Sequence, residues 1–274
     1  TLASNLTWSS HVSNILQSVG AMKDIMKRLK YDIDRLSLEN SYFSFIRPKL
    51  EYASHIWHNC SKQDSDKLES FQLEMARIVT GARKGTSHQL LYDETNWPTL
   101  SERRSLNSLK QIIKMSNNEC PDYLTSLLPD KIGKERPQSR NAENYITPKC
   151  RTETFRSSFI PATIRTWNST TNEDRNIDSI QEKLKNKSKP LYNHGNRQSN
   201  VKHAQLRMQC SKLNAHLYSL HVTDSPACAC GFNNEDSEHF LWQCPLYLAP
   251  RQVMLTKING MNIGAVDILN DLLY

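Results

Sequence analysis

Three cysteines and a histidine lie within seventeen residues near the C-terminal end. The string CACGFNNEDSEHFLWQC spaces Cys228, Cys230, His239 and Cys244 as C-x-C-x8-H-x4-C. Ligands that must meet at one ion fix the path of the backbone between them, so this cluster constrains the fold more than any other feature. Gly231 follows the Cys-x-Cys pair where the chain must turn tightly, and His239 and Cys244 are spaced to leave the first turns of a helix or a loop. Three thiolates and one imidazole fill a tetrahedral Zn²⁺ shell and leave no position for a catalytic water, so the expected ion is structural. The competing reading is reduced thiols beside a surface histidine. Cys60, Cys120, Cys150 and Cys210 are scattered, and the total of seven is odd. Both facts fit a reducing, intracellular setting, nucleus or cytoplasm, better than a disulfide framework.

Elsewhere the pattern is helical. Glycine occurs eight times in 274 residues, and neither GxGxxG nor GxxxxGK[ST] is present, which leaves phosphate-cradling Rossmann and P-loop folds without support. Val12, Ile15, Leu16, Val19, Met22, Ile25, Met26 and Leu29 recur at three-and-four spacing after Ser9 or Ser10. A second run from about Leu36 to Trp57 is rich in aromatics and must kink or restart at Pro48, which lacks a backbone donor. A third helix is expected from Asp64 or Asp66 to a stop at Gly81, and a fourth from Ser101 through Met115. Further helical spacing is read over Ile180–Leu184, from Ala204 to Leu220, and in one or two short closing helices through Met254–Ile258 and Val266–Leu272. The fold class is therefore mainly α. No apolar stretch approaches the roughly 18 residues of a membrane span, and TLASNLTWSS has no secretory pattern, so no membrane partner is expected.

The net charge of +7 is unevenly placed. Lys plus Arg against Asp plus Glu count 17 to 15 over residues 1–132, 16 to 7 over 133–212, and 2 to 6 over 213–274. The basic stretch interleaves Phe155, Phe159, Trp167 and Tyr192. Cations that neutralise phosphates and rings that stack on bases make this the expected nucleic-acid contact. Arg140, Arg151, Arg156 and Arg165 are assigned to phosphates, with Trp167 or Phe159 as stacking faces. A merely solvated basic face is the alternative. Residues 133–198 read as an extended basic linker between a helical domain at 1–132 and a metal-binding domain at 199–274.

Several strings resemble one family in its own order. They are LTWSSH from Leu6, IRPKLEYASHIW from Ile46, LESFQLEMARIVTG from Leu68 and PDYLTSLLP from Pro121. SRNAENYITPKCRTETFRSSFIPATIRTWN follows them, and LRMQCSKLNAHLYSLHVTDSPACACG with EHFLWQCPLY closes the series. These are similar to the part of non-LTR (LINE-type) retrotransposon reverse transcriptases, the jockey- and CR-like group, that follows the palm. The resemblance implies a thumb-like helical bundle, a basic segment and a zinc-binding tail that help hold element RNA or target DNA, with palm and fingers upstream in a full-length product. Polymerisation in that family needs two metals on an aromatic-x-Asp-Asp string, and this sequence contains no Asp-Asp pair. Asp32 and Asp34 in YDID read as solvated helix-surface charge. The expected function is thus non-catalytic binding of RNA or DNA. A zinc-stabilised protein-interaction module and an inactive relic of such an element are the alternatives.

Overall fold

The computed structural model describes residues 7–134, 141–171, 175–186, 189, 192 and 196–260. It is mainly helical, with 64% helix and no strand among the described residues. None of its helices there is long and apolar enough to cross a membrane.

Helix α1 spans Ser9–Leu29 and buries Val12, Ile15, Val19 and Met26 of the stripe that the three-and-four spacing predicts, whereas Ile25 and Leu29 of the same spacing are exposed. Helix α2 (Arg35–Ser41) runs into a π-helical turn at Tyr42–Ile46, and α3 (Arg47–Glu51) restarts with Pro48 in its first turn. The wider turn is the local answer to Pro48: the Arg47 N–H reaches back to the Tyr42 carbonyl, and the proline sits where a helix has no intrahelical partner for its N–H. Helix α4 (Lys62–Thr80) is capped by Ser61, whose Oγ accepts from the Asp64 N–H at 3.1 Å, rather than opened by Asp64 or Asp66. It stops at Gly81, where φ is +74° and the N–H returns to the Arg77 carbonyl at 2.9 Å. Helix α5 (His88–Thr95) has no counterpart in the sequence reading. Helix α6 (Leu100–Ser116) begins one residue before Ser101, because Thr99 and Glu102 close a capping box.

Short α7 (Asp122–Thr125) and α8 (Glu153–Arg156) precede α9 (Phe159–Ser169) and α10 (Ile177–Leu184). The expected extended linker at 133–198 is therefore corrected: much of it is folded. Ile160, Ile164 and Trp167 fall on one face of α9, and Pro161 occupies the first turn, where its missing N–H costs nothing. The expected continuous helix from Ala204 to Leu220 is likewise two. Helix α11 (Arg197–Arg207) ends as Gln209 enters the left-handed region at φ 50°, and α12 (Asn214–Ser219) starts afresh. Helix α13 covers Leu248–Gly260. The closing helix read at Val266–Leu272 lies outside the described residues.

Contacts group the chain into two compact units, each assembled from separated stretches. One comprises Thr1–Ile25, Ser41–Gln72 and Trp97–Lys187. Its core joins Leu109, Ile112, Ile113 and Met115 of α6 to Ile164 and Trp167 of α9, Ile180 of α10, and Tyr145. Beside it Tyr42 stacks on Trp97 at 4.3 Å and donates to Gln72 Oε1 at 2.6 Å. Arg103 grips Glu51 with two nitrogens and donates to the Leu184 carbonyl at 2.9 Å.

The other unit comprises Met26–Asn40, Leu73–Asn96 and Ser188–Tyr274. A buried ionic knot holds it. Arg35 donates to Glu39 at 3.0 Å and to Glu94 at 2.8 Å, and lies 3.8 Å over the Tyr192 ring. Glu94 also accepts from the Tyr192 hydroxyl and from Arg207 at 3.2 Å. Arg197 donates to the carbonyl of Lys30, just past α1, and to those of Ile78 and Val79 in the last turn of α4, so it satisfies helix-terminal carbonyls that lack an intrahelical partner. Desolvation drags the Arg197 guanidinium down to about 10.

Candidate metal centre

The four residues singled out by spacing converge. Sγ of Cys228, Cys230 and Cys244 and a ring nitrogen of His239 all lie within 4.8 Å of one another. Cys228 Sγ is 3.7 Å from Cys244 Sγ, and Cys230 Sγ is 3.2 Å from His239 Nε2. Cys228, His239 and Cys244 are buried and Cys230 is half-buried. The set can hold a metal ion, and its closure leaves solvent little approach.

Local sequence explains the geometry. Gly231 has φ +93°, its N–H closes on the Cys228 carbonyl at 2.9 Å, and the Cys228 N–H reaches the Phe232 carbonyl at 2.8 Å. A side chain at residue 231 would meet no neighbour, so the backbone conformation alone demands glycine there. Across the site a π-helical turn at His239–Gln243 ends as the Cys244 N–H bonds to the His239 carbonyl at 2.8 Å. That bond turns the side chains of two residues five apart toward one point, which an ordinary α-turn would not do as closely.

A supporting shell surrounds the four residues. Phe232 stacks on the His239 ring at 4.3 Å and 4°, fixing its plane, while Asp236 caps the turn by accepting from the His239 N–H at 2.8 Å. Glu235 accepts from the Asn214 N–H at 2.9 Å and lies 3.7 Å from Cys228 Sγ. Asn214 Nδ2 donates to the Ala227 carbonyl at 2.7 Å, so α12 is laced to the knuckle. Arg251 donates to the carbonyls of Leu241 and Cys244 at 2.6 and 2.9 Å. The Asp-x-x-His spacing was a local sign of the cap, whereas the pairing of Asn214 with Glu235 has no local signal. Hydrogen bonding from the Phe232 backbone pulls the Cys230 thiol down to about 7. At Cys228 a backbone bond from Cys230 acts in the same direction, but burial and the neighbouring thiols prevail and push it up to about 11.

The residues assigned to nucleic acid are dispersed by comparison. Trp167 is 6% exposed, donates to the Glu143 carbonyl at 3.2 Å and has Arg175 over its ring at 5.2 Å. It is a core residue and cannot receive a base. Tyr192 is buried in the ionic knot. Phe159 is half-buried against His55 at 5.4 Å. Arg151 and Arg156 are exposed, and Arg165 donates to the Arg156 carbonyl. Arg156 stands 4.0 Å from Glu153 in a solvated pair of little energetic weight. Arg140 lies outside the described residues. Phe155, 48% exposed on α8, is the aromatic of this stretch that faces solvent most openly.

No family model, no curated protein and no solved structure matches this chain.

Proposed function

We propose that the chain is a non-catalytic, nucleic-acid-binding part of a non-LTR retrotransposon RNA-directed DNA polymerase, comprising thumb-like helices, a basic segment and a tail closed by one structural zinc ion. The observation that carries the reading is the convergence of Cys228, Cys230, His239 and Cys244 into one closed set, in the segment that resembles the zinc-binding tail of that family. A tetrahedral ion with sulfur bonds of about 2.3 Å separates its sulfurs by about 3.8 Å. The 3.7 Å between Cys228 and Cys244 fits it. Such an ion would hold the knuckle against α12 and supply folding energy rather than chemistry. The work left to the chain is holding RNA or DNA, since the sequence has no Asp-Asp pair.

In this reading the basic contact uses Arg151, Arg156 and Arg165, with Arg140 and the exposed ring of Phe155. Replacing Arg140, Arg151, Arg156 and Arg165 with alanine is expected to weaken binding to single-stranded RNA of every sequence. It also flattens the dependence of log affinity on log salt by about 0.7 per lost phosphate contact. Fluorescence anisotropy across a salt series measures both, with folding checked by circular dichroism, and an unchanged slope rejects the arginine contact. A protein-interaction module is the second reading, favoured by Phe45, Tyr52 and Ile56, which are 57%, 78% and 53% exposed. Association through such a face would resist salt.

A further inference from the structure

Helix α6 carries Asn107, Lys110, Gln111 and Lys114 at i, i+3, i+4 and i+7, and all of them line one side of a cleft of about 280 Å³. Glu51 at the end of α3 and Tyr52 and His55 just beyond it line the opposite side. Glu51 is the acidic residue in this lining, and its charge is already spent. Arg103 binds it with two nitrogens, one at 2.9 Å, and Arg47 stands 3.8 Å away. Lys110 and Lys114 are half-buried and, among the described residues, neither makes an ion pair with a carboxylate. Two cationic side chains one helical turn apart at a cleft whose one acid is already paired offer an anion two donors on the same helix face.

Tyr52, which lines this cleft, is 78% exposed. Its backbone is held on both sides: the Tyr52 carbonyl accepts from Trp57 Nε1 at 2.9 Å, and Ala53 is kept in the left-handed region at φ 49°. That conformation is costly for a residue with a Cβ, so the turn that places the ring is maintained against local preference. Burial lowers the pKa of His55 and favours its neutral form, which with the Asn107 and Gln111 amides gives the cleft uncharged hydrogen-bonding groups.

We propose that this cleft binds one nucleotide unit of a single-stranded nucleic acid, the phosphate between Lys110 and Lys114 and the base on the Tyr52 ring. The volume of about 280 Å³ falls just below the range of small-ligand pockets, about 300–1,000 Å³. An unpaired nucleotide can lay its base on the exposed Tyr52 side chain outside this volume, whereas a duplex keeps its bases stacked on one another. The inference rests on the reading of the chain as a nucleic-acid binder, but places a contact outside the basic stretch at 133–212.

The test uses the full chain, a short single-stranded RNA and its duplex form, with anisotropy followed over a salt series. Single strands should bind tighter than the duplex. Lys110→Gln with Lys114→Gln should lower the salt slope by up to about 1.4, two contacts at about 0.7 each, while Lys110→Arg with Lys114→Arg retains it. Tyr52→Ala should weaken binding by about 5- to 150-fold, the equivalent of about 1–3 kcal/mol of lost stacking. In the wild-type chain, RNA carrying 4-thiouridine should crosslink to the peptide containing Tyr52, a readout that needs no variant to fold. If the glutamine pair leaves affinity and slope unchanged while the four-arginine variant weakens, or if no crosslink maps near Tyr52, the cleft is wrong and the wider reading stands. A wild-type chain that binds neither form overturns both.

Discussion

Glu94 shows how a single residue can decide the stability of a region. It is 2% exposed and serves Arg35, Arg207 and the Tyr192 hydroxyl at once. Burial pushes its carboxyl pKa up, but Arg35, Tyr192 and Lys189 outweigh burial and hold it below the usual 4.5. A carboxyl depressed in the folded state contributes stability above its unfolded value near 4.5, and that contribution is lost as pH falls through the lower folded value. Glu94→Gln should therefore cost about 3 kcal/mol at pH 7, the low end for breaking a buried pair. The gap to wild type in urea melts should shrink as the pH drops below 4.5; a constant gap would show that the charge is not what matters. None of this was visible in the sequence, where Glu94 is one acid among 28 acidic residues and its partners lie up to 113 positions away.

At the scale of elements, α9 and the end of α4 carry the clearest tests. Trp167→Ala removes a ring packed among Ile113, Ile164 and Ile180, and should cost about 3–5 kcal/mol while leaving RNA affinity per folded molecule unchanged. Thermal melts and anisotropy together separate that outcome from a stacking role. Gly81→Ala meets two obstacles: φ +74° disfavours any side chain, and the new Cβ would stand 2.7 Å from both methyl groups of Val201. A loss of at least about 1–2 kcal/mol in chemical denaturation is expected from the backbone alone. Gly81 was legible because a glycine after a periodic run is a stop signal, and α1, α4 and α6 were legible because their stripes are long. Helix α9 was hidden by Pro161 and by its polar neighbours, which mask a stripe of only three apolar residues. Helix α5 is shorter still, eight residues with no sustained stripe.

At the scale of the molecule, the metal centre should govern its own neighbourhood. Chelation, or Cys230→Ser, is expected to release the ion and remove hydrogen-exchange protection from the stretch between Asn214 and Arg251, where α12, the knuckle and the π-turn depend on the four ligands. Protection in α6 should persist, because its apolar contacts with α9 and α10 involve no ligand. Stoichiometric zinc by elemental analysis before chelation, and none after, completes the test; full protection without metal would refute the structural role. The sequence by itself determined the helical class, the Cys/His cluster and the glycines that turn the chain, because each follows from spacing or from a backbone angle within a few residues. Tertiary structure decided that Trp167 is core rather than a stacking face, and that Lys110 and Lys114 flank a cleft whose acid is already neutralised. It also decided that the two units are assembled from interleaved stretches of chain. Burial and charge compensation depend on residues brought together from distant positions, and no local pattern records them.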